Sequence, residues 1–356
     1  MTAVRTIGSF IERSWIPALV LSLAVTAWIV FVGEGVDAYY RSRLVDMVHG
    51  TAYRPYVYRV LVPGLAHLGT ILMPASLANA VTSAFEAWQG RPAGWPPAHA
   101  ADYVLVITIM AVSLIGFGAA MRAFSQTVFS ARAMVHALIA LAAVAALPLT
   151  FGPFSRQIYD FTTLCLFTWC LVFMAQRRWI AFAIAFAFAS LNKESSILLV
   201  LVYVVHAART STGLSRIEAV SLFVYQLAVF ALVRSAVVYA FRDNPGDTVE
   251  IHLFGHNQYV LLHPLEMSRR LLLLIGVAIV GVWGWNDKPP FLQNVFIILA
   301  PVLVVMGVTV GMVDEIRAYY ELYAVIVLMA AHTVLRALDV PVAVAASPRS
   351  AAEAPA

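Results

Sequence analysis

Eighteen consecutive residues, Trp15 to Val32, carry no charge, and comparable apolar runs recur along the chain at 59–74, 75–88, 102–121, 134–151, 159–175, 179–191, 195–207, 217–240, 270–285, 291–312 and 318–337. A helix of such a run is matched to roughly 30 Å of hydrocarbon. In lipid a helix also satisfies its own backbone hydrogen bonds. The runs are continuous rather than alternating, which disfavours a β-barrel. With 62% hydrophobic and 12% charged residues, the chain lies far from a soluble domain of about half apolar and about a quarter charged residues. These features predict an all-α polytopic transmembrane bundle of about 11–12 membrane helices, short or broken ones included. No polar linker divides the chain, so residues 1–338 read as one transmembrane domain with a loop at 33–58, and the Pro/Ala-rich segment 339–356 reads as a disordered tail. The net charge of +4 comes from arginines scattered between apolar runs and does not suggest nucleic acid. Trp15–Val32 is long for a signal peptide, has no small-residue cleavage site after it, and reads as the first membrane helix.

Two stretches depart from a simple span. The run 75–88 follows Pro74 and contains Asn79 and Glu86, so it suits an interface. Asn192-Lys193-Glu194 divides 179–207 into halves of about 20 Å each. The halves read either as a broken pair lining a cavity or as one long helix with Lys193 and Glu194 buried in mid-membrane. With the N-terminus in the cytoplasm and twelve crossings, the cytoplasmic links hold Arg122, Arg132, Arg177, Arg178, Arg209, Arg216 and Lys288, against Arg156, Lys193 and Arg317 on the other side, as the positive-inside rule requires. The same orientation sends five polar clusters to the extracytoplasmic face. They are the 33–63 loop, Arg156/Tyr159/Asp160, Asn192-Lys193-Glu194, the loop 241–268, and Asp314-Glu315-Arg317. We read them as the walls of one site.

The 33–63 loop holds Glu34, Asp37, Asp46, four arginines and five tyrosines. Its residues 36–50 read as a short amphipathic helix with Val36, Tyr40, Leu44 and Val48 on one stripe. Tyr40 and Tyr56 offer stacking surfaces, and Arg54 and Arg59 either grip an anionic head group or anchor at the interface. Asp160 opens a helix, where an acid favours the dipole. Lys193 and Glu194 interrupt an apolar stretch, and ionisable groups in such places tend to face a cavity. Glu315 and Arg317 open the last span, with Glu321 one turn beyond Arg317 at pairing distance. His252 and His256 have the spacing of a two-histidine metal face, but Pro245 and Gly246 argue for loop and no third ligand is dictated, so no metal ligand is assigned. Cys165 and Cys170 point in different directions on one helix and read as packing residues, as does the Gly307/Gly311 pair. No P-loop, dinucleotide fingerprint, nucleophile elbow or internal repeat is present.

Val36-Asp37-Ala38-Tyr39-Tyr40, followed by Leu44-Val45 and Gly50, resembles the first-loop motif of the GT-C class of membrane glycosyltransferases. Tyr56-Val57-Tyr58-Arg59-Val60-Leu61-Val62-Pro63, Leu191-Asn192-Lys193-Glu194-Ser195 and Glu315-Ile316-Arg317-Ala318-Tyr319-Tyr320-Glu321-Leu322 look like motifs of bacterial membrane proteins placed near that class. The resemblance implies a multi-pass protein of the bacterial inner (plasma) membrane that moves a sugar from a polyprenyl-phosphate donor to an acceptor at the extracytoplasmic face. Asp37 would be the general base. Glu34, Tyr40, Arg54, Tyr56, Arg59, Asp160, Lys193, Glu194, Glu315 and Arg317 would bind substrate, with Arg59, Lys193 and Arg317 on the leaving phosphate. Ala38 stands where many members carry a second acid, so the resemblance leaves a divalent cation open and names no cofactor. The class usually adds a soluble domain after its membrane part. None is read here, so the acceptor-recognition module is expected to be missing or supplied by a partner protein. The competing readings are a transporter or flippase for an anionic lipid or small solute, and a non-catalytic subunit that kept the fold.

Overall fold

The structure is a computed structural model that describes residues 16–32, 36–37, 39–92, 94–150, 157–210, 212–263 and 269–344. Its helices are α1 (Ile16–Phe31), α2 (Leu44–Val48), α3 (Leu61–Leu72), α4 (Ala75–Ala87), α5 (Ala100–Val128), α6 (Ala133–Ala145), α7 (Asp160–Ala175), α8 (Trp179–Asn192), α9 (Leu198–Arg209), α10 (Arg216–Ala240), α11 (Gln258–Leu262), α12 (Arg269–Val282), α13 (Pro290–Thr309) and α14 (Tyr320–Ala337). Two short strands, β1 (Phe129–Ser130) and β2 (Ala343–Val344), pair antiparallel. The segment 339–356, expected to be a disordered tail, therefore contains a residue pair docked on β1, and its part beyond Val344 lies outside the described residues.

Among the described residues, five helical segments are long and apolar enough to cross a membrane: those containing α5, α6, α10, α13 and α14. A sixth is added if the bent pair α3–α4 counts as one span. The 11–12 membrane helices expected included short or broken ones, and shorter apolar helices accompany these long segments. α1, α7 and α8 are apolar but only 14–16 residues long, which is about 21–24 Å of helix.

α3 and α4 meet at 113° after Met73 and Pro74. Proline at that point forces extended backbone on the residue before it, and Met73 has φ −69°, ψ 126°. The pair starts where the Val60 amide donates to Leu191 O (3.1 Å) and finishes where Trp88 meets Phe31 (5.4 Å between rings). It therefore returns the chain to the end of the bundle that it left. The break after Asn192 is equally definite. Lys193 is extended, and Tyr203 of α9 packs against Trp179 of α8 at 5.8 Å. The two halves are thus a hairpin, and the single long helix is excluded.

The core forms where α5 crosses α7. Ser113 and Thr162 share a hydrogen bond of 2.8 Å, and the Trp169 indole donates to Gly116 O. A Cβ on Gly116 would meet Cys165 Sγ at 2.7 Å, so glycine there is what lets the helices approach. Cys165 and the buried Cys170 are free thiols packed in this core. Outward faces are apolar. On α10 Ile217, Leu232 and Tyr239 are 70–80% exposed, and 11% of its most apolar stretch is buried. A surface of this kind suits lipid rather than water.

Candidate functional site

All five polar clusters meet at one end of the bundle, through pairs that join distant parts of the chain. Arg41 bonds Glu250 (2.6 Å), Arg54 bonds Gly246 O (2.6 Å), Arg59 bonds Glu194 (2.7 Å), Asp160 meets Arg317 (3.3 Å), Lys193 bonds Glu321 (2.9 Å) and His256 bonds Asp314 (2.7 Å). The opposite end is tied by Gln176 to Thr127, Arg209 to Asn294 and Lys288 to Met329 O. It also carries an open groove of about 510 Å³ lined by Lys288, His332 and Arg336, which shares no residue with the polar clusters.

The segment 36–50 is not one amphipathic helix. A 3₁₀ turn at Tyr40–Ser42 and the short α2 are separated at Arg43. Val36, Leu44 and Val48 of the expected stripe are buried, while Tyr40 is exposed on the rim. Asp37 explains the break. Its Oδ1 accepts from the Leu44 amide (2.7 Å), the first of α2, and its Oδ2 accepts from the Tyr103 hydroxyl of α5 (2.7 Å). These bonds orient the carboxylate, and each oxygen keeps a second lone pair.

Beyond Asp37 runs a series of rings. Tyr53 packs on Tyr40, Tyr40 on Tyr39 and Tyr39 on Tyr56, at 5.5–5.7 Å, and the Arg59 guanidinium lies 5.3 Å from the Tyr56 ring. Tyr56 donates to Glu250 (3.0 Å). Burial, and then the Glu250 charge, push its phenol well above the usual range, so it stays a neutral donor. Arg54 acts elsewhere. Its backbone and side chain hold Pro245 and Gly246, which fixes the 241–250 loop over the site. Gly246 has φ +93°, and a Cβ there would sit 2.7 Å from Arg54 O.

The ion network is built on helix ends. Arg59, just before α3, grips both Glu194 oxygens, lies 4.4 Å over the Tyr159 ring and also bonds the Tyr159 hydroxyl. Burial opposes charge on Glu194, but the Arg59 charge and hydrogen bonds outweigh it and hold the carboxyl down at about 2. Burial likewise works against the Arg59 cation, and Glu194 overrides it to raise the guanidinium further. Arg234, inside α10, faces the same carboxylate and lies 5.6 Å from the Tyr58 ring. Asp160 opens α7, bonds Arg317 and faces Lys193. Arg317 also bonds Glu315. The i,i+4 pairing of Arg317 with Glu321 does not form. Residues 316–319 make a 3₁₀ turn and α14 starts only at Tyr320, so the helical offset is lost. Glu321 turns instead to Lys193 and to the Ser195 hydroxyl, with Oε2 buried and unpartnered. Four cations (Arg59, Lys193, Arg234, Arg317) thus face four carboxylates (Asp160, Glu194, Glu315, Glu321).

The structure therefore joins Tyr56, Arg59, Asp160, Lys193, Glu194, Glu315 and Arg317, sets Tyr40 on the rim, gives Arg54 to the covering loop, and places Asp37 apart on the start of α5. Glu34 and Arg156 lie outside the described residues. His252 and His256 do not form a metal face. The backbone between them leaves the helix at Phe254 and Gly255, and they pair with Glu250 and Asp314 respectively. Sequence reasoning did not single out Glu250, Tyr103 or Asn257. The fully buried Asn257 bonds Gly307 O, Val308 O, Gly311 O and the Val313 amide, and so ties the 310–315 turn to the 241–263 loop. Comparison with protein-family models, with curated protein sequences and with solved structures finds no match.

Proposed function

We propose that this chain is a multi-pass membrane glycosyltransferase of the bacterial plasma membrane, taking a sugar from a polyprenyl-phosphate donor at the loop end of the bundle, with Asp37 as general base. One observation carries the reading. Except for Arg234, every charge of the network lies at a helix terminus on one end, beside a tyrosine-lined loop. A transporter would place its coupling charges near the bilayer midplane, at the ends of broken helices, so the gathering of these charges at one end of the bundle, beside the loop, supports surface chemistry on a lipid-borne substrate. Arg59, Lys193 and Arg317 supply donors for a phosphate, which would have to displace Glu194 or its neighbours to reach them. Tyr40 and Tyr56 offer faces to a sugar or prenyl chain. A partner protein would supply acceptor recognition.

A non-catalytic carrier of the same head group is the second reading, favoured by the engagement of both Asp37 oxygens in holding α2 and α5 together. The deciding experiment incubates purified protein with a panel of polyprenyl-phosphate sugars and an acceptor extract, comparing wild type with Asp37→Asn. Donor consumption that disappears in the variant supports the enzyme. Donor binding without consumption in both supports the carrier. Absence of any donor interaction rejects both.

A further inference from the structure

We infer that His49, His99 and Asp102 form a zinc site, independent of the ion network and of the glycosyltransferase reading. Asp102 lies in the first turn of α5 with 3% of its side chain exposed. Its Oδ2 meets His49 Nε2 at 3.0 Å and His99 Nδ1 at 3.1 Å, while Oδ1 accepts from Thr70 Oγ1 at 2.9 Å. The three ligand atoms all lie within 4.8 Å of one another. They come from the segment after α2, the turn before α5 and α5 itself, so the fold has assembled them. Tetrahedral zinc with bonds of about 2.0–2.1 Å sets neighbouring ligand atoms roughly 3.3 Å apart. The two spacings to Asp102 need to open by only a few tenths of an ångström, and the two imidazole nitrogens already lie within 4.8 Å of each other.

The donor set narrows the metal. Two imidazoles and one carboxylate suit a first-row divalent ion such as zinc, whereas calcium and magnesium take oxygen shells. Asp102 forms the buried floor, and the histidine side chains are 39% and 34% exposed, which leaves the fourth position open to water. Thr70 holds the free carboxylate oxygen, the outer partner that such ligands commonly have. The His67 ring, 5.7 Å from that of His49, flanks the open side. Zinc here would fasten the end of α3, the loop after α2 and the start of α5 to one another. Tyr103, which donates to Asp37, is the next residue along, so the ion would also steady that contact.

The test uses full-length protein purified through a histidine-free tag and stripped with EDTA. Zinc is added in competition with a chromophoric chelator, bound metal is counted by elemental analysis, and thermal unfolding is followed in parallel. The expected result is one zinc per chain, a zinc-dependent rise in unfolding temperature, and no competition from excess magnesium. Both zinc effects should vanish in His49→Ala/His99→Ala, compared with and without zinc against its own metal-free unfolding temperature, since loss of both partners of the buried Asp102 lowers that baseline. Thr70→Val should weaken zinc binding about 10–100-fold. Wild type that binds no more zinc than the double variant, or whose unfolding temperature zinc leaves unchanged, overturns the assignment and leaves two histidines hydrogen-bonded to a buried acid.

Discussion

Replacing Lys193 with methionine keeps the length of the side chain and removes its charge. It leaves the Glu321 carboxylate, whose side chain is 0% exposed, with only the Ser195 hydroxyl as a partner. Breaking a buried pair in this way costs about 3–5 kcal/mol, mostly from the stranded charge. Lys193→Met should therefore lose about 3–5 kcal/mol. Lys193→Met/Glu321→Gln should recover most of it, since no charge is left behind. The assay is reversible unfolding in mixed micelles, run as a double-mutant cycle. A single variant that loses less than about 1 kcal/mol, or a double variant as unstable as the single, would refute a stranded carboxylate as the cause.

Three other perturbations probe separate parts of the loop end. The folded Glu194 carboxyl, held at about 2, lies below its ordinary value of 4.5, so its pairing with Arg59 contributes stability that is intact above pH 4.5 and disappears as pH falls to about 2; Glu194→Gln should accordingly unfold with a shallower pH dependence across that window, and identical slopes would argue against the pair. Gly307→Ala puts a methyl against the Tyr319 hydroxyl and ring and should cost about 1–3 kcal/mol, with recovery in Gly307→Ala/Tyr319→Ala relative to Tyr319→Ala alone; a cost that persists on that background points to backbone rather than to that contact. Asn257→Leu strips the Val313 amide and three carbonyls of their partner and should cost about 3 kcal/mol, read as faster amide exchange confined to the 310–315 turn and the 241–263 loop.

What the sequence made legible were features that interrupt hydrophobicity. Pro74 and Asn192-Lys193-Glu194 stand out of apolar runs, and the chain bends or reverses at both. The gathering of five polar clusters at one end follows from counting apolar runs, because the bent α3–α4 pair returns to its starting end and so preserves the parity of the count. Partner choice was not legible. Lys193 and Glu321 lie 128 residues apart, and the nearer candidate for Glu321, Arg317, is lost because a 3₁₀ turn shifts the helix start. The same holds for Asp102, which the sequence does not distinguish from other acids flanking apolar runs and around which folding brings His49, His99 and Thr70. Local signals report where a helix starts, stops or breaks. They carry no term for which of several equivalent charges it will face.

The equality of cations and carboxylates in the network constrains what may enter it. A phosphate dianion arriving among Arg59, Lys193, Arg234 and Arg317 finds each already matched by an acid, so it brings surplus negative charge into a poorly screened region. The surplus is relieved when a carboxylate swings out to water or takes a proton. Glu194 is the member best placed to leave, since 36% of its side chain is already exposed while the Glu321 side chain is sealed. Occupancy of this end by any anionic head group thus becomes an exchange of counter-ions.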